Sequence, residues 1–276
     1  MSDQTNFASP SELNEAFSGL STKYVGKKIY FYEEADSTND IADQLAREGA
    51  PEGTVVLTEY QDKGKGRMGR KWFSPKGKNI LLSIILRPKI DPSFVSLITV
   101  MSSVALAKAL RKMDFLAKIK WPNDIYIEGK KVAGILTEMK CEQDKINYLV
   151  LGIGINVNMA QSDIPETLWN QVSSLAMLKG QSVDRLLFLK NFFSELENEY
   201  DQVKDYQYDR ILEEWSKMSL LVGKWVEVSC GDRKFEGVVL GSGSKGELLL
   251  KLENGFVESV LSGDIRIKND AENINH

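Results

Sequence analysis

A glycine-rich basic loop is the part of the sequence whose residue types most clearly allow ligand chemistry. It runs over residues 61–75 and contains three glycines and five cations: Gly64, Gly66, Gly69, Lys63, Lys65, Arg67, Arg70 and Lys71. Glycine lets a backbone approach a ligand closely, and backbone N–H groups in such a loop can bind an anion. Arginine adds bidentate pairing to phosphate or carboxylate. A solvated basic turn is the alternative, but the glycine spacing and the following Trp72-Phe73 pair favour a ligand-binding loop.

Two common nucleotide-binding motifs do not fit this loop. Its glycines spell G-x-G-x-x-G, but the dinucleotide fingerprint requires a helix to begin there. Residues 71–78 contain Pro75 and Gly77 and would open a helix poorly. The Walker motif requires Lys-Ser/Thr after its last glycine, whereas Gly69 is followed by Arg70 and Lys71.

Composition and charge narrow the possible functions. The chain has 276 residues, 42% hydrophobic and 27% charged, which is typical of a globular protein. Its net charge is −4, so the basic loop is a local feature, and a general nucleic-acid binder is disfavoured. No uninterrupted apolar run reaches about 18 residues and no secretory signal is evident, so we expect neither a membrane span nor export. Cys141 and Cys230 lie far apart, which fits a reducing cytoplasm.

The histidine content restricts the chemistry further. The only histidine is His276, the last residue. A Ser-His-Asp or Cys-His enzyme and a His-ligated metal site are therefore not expected. Catalysis must depend on Lys, Arg, Asp, Glu, Asn or backbone groups, with a substrate that is itself activated.

The elements around the loop place further polar groups near it. A predicted strand over residues 54–60 leads into the loop, and a second strand covers residues 79–87. Ser37, with Asp40 three residues later, matches a helix-capping pattern. The residues from Ser37 to Asn39 would then offer hydroxyl and amide groups at a helix N-terminus, where a polar ligand can bind.

A second informative segment covers residues 118–138. A strand breaks at Pro122, so Asn123 and Asp124 can point into a pocket, and a tight turn at 128–130 precedes a returning strand with Lys131 at its start. An ordinary Asn-Asp turn with a solvated lysine is the alternative. The apolar strand over 146–157 carries Gly152 and Gly154, which indicate a close backbone approach.

The domain organisation follows from a change of pattern near residue 222. We predict a weakly ordered arm over 1–24, a first domain over 25–221, a small barrel over 222–268 and a tail over 269–276. Short strands separated by Gly- and Asn-containing turns carry the barrel prediction.

Taken together, these stretches resemble the biotin protein ligases, in the order of that family and over about residues 25–268. The matching segments are Ser37-Thr38-Asn39, Gln61, GKGRMGRKW at 64–72, KWPND at 120–124, KVAGIL at 131–136 and GIGIN at 152–156. The resemblance implies an α/β (α+β) fold, in which a mixed-sheet, class II synthetase-like catalytic domain precedes a small C-terminal SH3-like β-barrel.

The resemblance also implies a reaction. Biotin and ATP form biotinyl-5′-AMP and pyrophosphate, and a lysine of a biotin carboxyl carrier domain then attacks the adenylate and releases AMP. ATP with Mg²⁺ would be the co-substrate and ion, without a tightly bound prosthetic group. This chemistry suits a site without histidine because the mixed anhydride is already reactive, so the protein mainly positions groups and stabilises charge.

Site roles follow from the same resemblance, residue by residue. The implied catalytic residues are Lys131 and Arg67. Those implied to contact biotin are Ser37, Thr38, Asn39, Gln61, Lys65, Gly66, Arg67 and Lys131. Those implied to hold the nucleotide are Arg67, Arg70, Trp72, Asn123, Asp124 and Asn156. Asp124 is the implied Mg²⁺ ligand.

Two departures and two alternatives accompany the resemblance. Lys65 stands where the family usually has arginine, which keeps the charge but loses the bidentate fork. The first 24 residues are too few for the winged helix of some members, so we expect no specific DNA binding. A lipoate or octanoate ligase or transferase of the same fold is one alternative function. A nucleotide- or RNA-binding module using the basic loop is the other.

Overall fold

A mixed seven-stranded sheet forms the centre of the molecule. The structure is a computed structural model, and it describes residues 13, 15 and 17–268. The strands are β1 (Ile29–Tyr32), β2 (Val55–Thr58), β3 (Ile80–Leu86), β4 (Lys118–Lys120), β5 (Asp124–Ile127), β6 (Lys130–Glu142) and β7 (Lys145–Ile155). Their order is β1-β2-β3-β7-β6-β5-β4, with β1 and β2 parallel and every other pair antiparallel. The predicted mixed α/β architecture is confirmed.

Helices cover both faces of this sheet. They are α1 (Thr38–Arg47), α2 (Val95–Arg111), α3 (Leu175–Lys179), α4 (Arg185–Lys204) and α5 (Tyr208–Met218). Helix α1 packs on one face against Val56, Ile85 and Val150, whereas α2, α4 and α5 belong to the larger core on the other. Because β3 is covered on both faces, its residues are buried whichever way they point. Ser83 is the one polar residue of that strand.

Helix α2 is apolar because it lies within the core. Together with the preceding turn it spans Pro92–Arg111, which by length and composition alone could cross a membrane. The sequence analysis predicted no membrane span, and by length and composition this helix is the one described segment that departs from that prediction. However, 67% of the apolar window of this helix is buried inside the protein. Its neighbours there are helices α4 and α5 and the sheet, as expected for a core helix.

A second, antiparallel sheet follows α5. It consists of β8 (Trp225–Cys230), β9 (Arg233–Ser242), β10 (Leu248–Leu252), β11 (Val257–Val260) and β12 (Asp264–Ile267), in the order β11-β10-β9-β8-β12. It touches the first part of the chain where Trp121 Nε1 donates to the Gly246 carbonyl at 2.9 Å. The SH3-like barrel and the boundary at residue 222 remain predictions, and the tail over 269–276 lies outside the described residues.

The arm predicted over residues 1–24 is described only in part, since residues 1–12, 14 and 16 lie outside the described residues. Leu13 and Phe17 are buried in the core. Glu197 of α4 accepts backbone N–H bonds from three successive residues, Lys23, Tyr24 and Val25, at 2.5–2.9 Å. Weak order of the arm as a whole remains a prediction.

Candidate functional site

A cleft of about 400 Å³ lies on the α1 face of the first sheet. The fold brings all but one of the predicted site residues to its walls: Ser37, Thr38, Asn39, Gln61, Lys65, Gly66, Arg67, Arg70, Trp72, Asn123, Asp124 and Lys131. These residues come from four separate parts of the chain. Their convergence is a property of the strand order, because the segments after β2, at β5 and at β6 all meet beside the N-terminus of α1.

Glycines form the floor beneath Trp72. Gly134 of β6 is paired with Gly154 of β7. A Cβ added at Gly134 would lie 2.9 Å from the Trp72 ring, and one at Gly154 would lie 2.4 Å from it. The second distance leaves no room for any side chain, so the indole lies directly on the backbone of the two strands. The close approach predicted from the glycines of 152–156 therefore serves to seat an aromatic ring.

Lys131 stands at the middle of the cleft. Its ammonium lies 2.6 Å from Asp124 Oδ1 and 5.5 Å from the centre of the Trp72 ring. Its backbone is held on both sides, because its N–H donates to the Gln171 carbonyl and its carbonyl accepts from Ser173. The backbone of Lys131 is thereby anchored, and its ammonium has a carboxylate and an aromatic ring as neighbours.

The basic loop forms a short hairpin over the cleft. Gly66 N–H donates to the Arg70 carbonyl at 2.7 Å, and Trp72 N–H donates to the Gly64 carbonyl at 2.9 Å. Met68 at the tip has φ 56° and Gly69 has φ 73°. The hairpin is therefore closed by backbone hydrogen bonds, and the cationic side chains of the loop are not needed to close it.

Arg67 and Asn123 connect the loop to the sheet. Arg67 Nη1 donates to Asn123 Oδ1 at 3.1 Å, and Asn123 Nδ2 donates to the Ile135 carbonyl at 2.8 Å. Burial lowers the pKa of Arg67 from its usual value. A guanidinium nevertheless stays charged at neutral pH, so Arg67 is a partly desolvated cation facing the cleft.

The α1 end of the cleft, which we define as Thr38, Asn39 and Gln61, is connected by hydrogen bonds to Ser83 and Glu138 behind it. Gln61 Oε1 accepts from Thr38 N at 2.8 Å and from Thr38 Oγ1 at 3.0 Å. The Ser83 hydroxyl lies 2.8 Å from Thr38 Oγ1 and 2.6 Å from Asn39 Oδ1. Asn39 Nδ2 donates to Glu138 Oε2 at 2.6 Å. The amide NH₂ of Gln61 is left over for a ligand.

Three sequence predictions need comment. Ser37 is the N-cap residue of α1 as predicted, but the capping interpretation of its hydroxyl was wrong, because that side chain makes no cap hydrogen bond. Asn156 does not line the cleft; it is buried, with Nδ2 donating to the Ser173 carbonyl at 3.1 Å. Lys65 lines the cleft and is paired with Asp40 of α1, which raises the pKa of Lys65.

Sequence reasoning missed the contribution of the second sheet. Gly263, Asp264 and Ile265 line the cleft, and both oxygens of Asp264 accept from the guanidinium of Arg70. This hydrogen-bonded pair raises the pKa of Arg70. Asp264 lies almost two hundred positions from the loop and belongs to no motif, so no local pattern could have found it. Lys120, whose pKa is lowered by burial, is another unpredicted cation of the wall.

Comparison with known proteins identifies relatives of this chain. The family model described as "Biotin/lipoate A/B protein ligase family" matches residues 31–156. The bifunctional ligase/repressor BirA of Bacillus subtilis is 34% identical over 250 residues, covering 90% of this chain and 77% of BirA. The biotin--[acetyl-CoA-carboxylase] ligase of Mycobacterium tuberculosis is 31% identical over 240 residues, covering 83% of this chain and 85% of that ligase.

A solved structure extends the likeness to three dimensions. The biotin protein ligase from Aquifex aeolicus, in complex with biotin and ATP, has a TM-score of 0.74 at 27% identity. The match covers 88% of this chain and 100% of that one. The resemblance inferred from the motifs is therefore confirmed, and the chain belongs to the biotin protein ligase family.

Proposed function

We propose that this ligase holds biotin at the α1 end of the cleft and ATP beneath the basic loop, and that Lys131 and Arg67 assist the reaction between them. One observation carries the proposal: a single cleft is lined both by uncharged hydrogen-bonding groups and by a cluster of cations that includes Lys131. Biotin has a cyclic urea at one end and a carboxylate at the other. The urea would bind the α1 end, and the carboxylate would lie next to Lys131.

In the first step, a carboxylate oxygen of biotin attacks the α-phosphorus of ATP and pyrophosphate leaves. The negatively charged carboxylate and phosphates must be brought together, and the charge of the transition state must be stabilised. Fixed cations in a partly dehydrated cleft do both well. We assign this task to Lys131 and Arg67. Lys65 and Gly66 would cover the biotin side, and Arg70 and Trp72 would hold the nucleotide. Asn123 supports Arg67, whereas the buried Asn156 would act on the nucleotide only through its neighbours.

In the second step, the amine of an acceptor lysine attacks the acyl carbon of biotinyl-5′-AMP, and AMP leaves. The anhydride is reactive, so the contribution of the protein is to orient the acyl group and shield it from water. We propose a biotin carboxyl carrier domain as the acceptor, which agrees with the name of the Mycobacterium tuberculosis relative. We further propose a cytoplasmic location, where ATP is available and the free thiols of Cys141 and Cys230 stay reduced.

Asp124 is the residue that would hold Mg²⁺ with the nucleotide. Magnesium is usually bound by one or two carboxylates together with substrate phosphates. Among the described residues, no group of three or more acidic, Cys or His side chains could hold an ion alone. A single carboxylate facing the phosphate region therefore fits an ion that is carried by ATP. When bound, Mg²⁺ would neutralise part of the phosphate charge.

The test is to incubate the purified chain with ATP, Mg²⁺, biotin and a carrier domain, and to weigh the carrier. We expect a mass gain of one biotin on one lysine, only when ATP is present. Octanoate and lipoate in place of biotin test the alternative acids, and a carrier with its acceptor lysine changed to arginine is the control. No gain on a carrier that another biotin ligase modifies would refute the proposal.

A further inference from the structure

The strongest unassigned feature near the cleft is the carboxylate of Glu138, which lies behind Asn39. Asn39 is 4% exposed, and Glu138 is only partly buried. Asn39 Nδ2 donates to Glu138 Oε2 at 2.6 Å. Glu138 itself does not line the cleft. Any effect it has on a ligand must therefore pass through another side chain.

The register of the sheet explains why Glu138 reaches Asn39. Gly152 of β7 is paired with Ser83 of β3 on one side and with Leu136 of β6 on the other. Directly paired residues share a face of a sheet, and so do residues two apart in a strand. Ser83, Gly152 and Glu138 therefore all face α1. The absence of a side chain at Gly152 admits Asn39, because a Cβ there would lie 2.1 Å from Asn39 Oδ1.

These contacts fix which way the Asn39 amide points. An ionised carboxylate only accepts hydrogen bonds, so the NH₂ group must face Glu138. The amide oxygen then faces the hydroxyl of Ser83, at 2.6 Å. A reversed amide would place its oxygen against a carboxylate oxygen. Glu138 thus sets the orientation of Asn39, whose amide oxygen accepts from the Ser83 hydroxyl.

We propose that Glu138 is a positioning residue for the cyclic urea of biotin, acting through Asn39. This inference rests on the proposed placement of biotin at the α1 end. A cyclic urea presents two N–H donors and one carbonyl acceptor, so it requires site groups with defined directions. An aliphatic or dithiolane acid offers none of these groups, so it could not form the hydrogen bonds that the urea would make with the oriented side chains. Glu138 therefore contributes to selection of biotin over octanoate and lipoate.

The experiment measures ligand dissociation constants by calorimetry for wild type, Glu138→Ala and Glu138→Gln. We expect Glu138→Ala to weaken biotin about tenfold, the effect of losing one hydrogen bond between a misoriented Asn39 amide and the urea. Glu138→Gln should lose less, because its amide oxygen can still accept from Asn39. Desthiobiotin keeps the cyclic urea, so it should weaken by the same factor. The KM for ATP should be unchanged, whereas the melting temperature should fall, because the buried Asn39 Nδ2 loses its acceptor.

Glu142→Ala is the matched control, because Glu142 lies on the same strand and accepts from Asn147 at 3.0 Å, remote from the cleft. It should leave biotin affinity unaltered. Double-mutant cycles test whether the effect of Glu138 passes through Asn39. The loss of biotin affinity in Glu138→Ala should add little to the loss in Asn39→Ala, but it should add fully to the loss in Lys65→Ala. Additivity with Asn39→Ala, or an unchanged biotin affinity in Glu138→Ala, would overturn the inference. Failure of the wild type to bind biotin would instead refute the proposed function.

Discussion

The α1 end of the cleft and its loop end are held together in different ways. At the α1 end, the buried side chain of Asn39 is hydrogen-bonded to that of Ser83 behind it, on a sheet that is covered on both faces. At the loop end, the hairpin is held to the second sheet by Arg70 and Asp264, whose side chains remain 63% and 42% exposed. Exposed ion pairs contribute about 0–1 kcal/mol each, so bound anions can replace them easily. The difference indicates a preformed α1 end, where we propose that biotin binds, beside a more easily exchanged loop end, where we propose that the nucleotide binds.

The largest expected effect comes from breaking the support of the preformed end. Arg185 and Glu59 are buried and joined by two bonds of 2.7 and 2.9 Å, just where β2 leads towards Gln61. Arg185→Met removes both of these bonds from the buried carboxylate of Glu59, so the free energy of unfolding should fall by about 3–5 kcal/mol. Urea unfolding followed by circular dichroism measures it. The double variant Arg185→Met/Glu59→Leu should recover much of the loss, and equal stability of both variants would contradict this account.

The next largest effect concerns retention of the adenylate. Arg67→Gly removes the cation that reaches from the loop to Asn123. Losing one charged hydrogen-bonding partner costs about 1.5–3 kcal/mol, so biotinyl-5′-AMP should leave roughly tenfold to a hundredfold faster. The measurement is the dissociation rate of the adenylate from purified enzyme, together with labelling of bystander proteins. Lys63→Gly, at an exposed cation of the same loop that lies outside the cleft wall, is the control. Equal dissociation rates for Arg67→Gly and wild type would mean that Arg67 does not retain the adenylate. Lys65 or Arg70 would then have that role.

We propose that Lys131 lies next to the biotin carboxylate, so its removal should affect chemistry more than binding of either ligand alone. Lys131→Ala should slow pyrophosphate release by about tenfold, or ~1.4 kcal/mol of transition-state stabilisation. Lys130→Ala, one position away and outside the cleft wall, should be close to wild type. Pyrophosphate release at the wild-type rate in Lys131→Ala would show that Lys131 only pairs with Asp124.

The smallest effect should come from the exposed pair that anchors the loop. Asp264→Asn should change the free energy of unfolding by no more than about 1 kcal/mol, and the change should shrink in high salt. Asp36→Asn, which removes the partner of Lys63 on the same loop, is the comparison. A loss above about 2 kcal/mol would mean that the second sheet holds the loop rigidly, and the contrast between the two ends would fail.

The sequence motifs predicted most residues that line the cleft, but they did not predict the residues that hold those lining residues in place. The glycine loop, KWPND and Lys131 were found because each is a local pattern with a chemical meaning. Ser83 was passed over within an apolar strand, although a lone polar residue in such a run is itself a signal. Glu138 and Asp264 could not be found, because their importance depends on strand register and on packing between distant segments. Helix α3 was missed because a five-residue helix has too little periodicity to recognise.

The seat of Trp72 gives this enzyme an optical reporter of its own cleft. The indole rests on bare backbone, a lysine ammonium stands 5.5 Å from the ring centre, and no described residue accepts from the buried ring N–H. Indole emission is sensitive to nearby charge and to hydrogen bonding. Entry of a nucleotide base would change both for this ring. Trp215 is fully buried outside the cleft wall and would contribute a constant background, whereas the buried Trp121 also lines the cleft. Occupancy of the cleft could thus be followed in real time from intrinsic fluorescence, without a dye or a coupled assay.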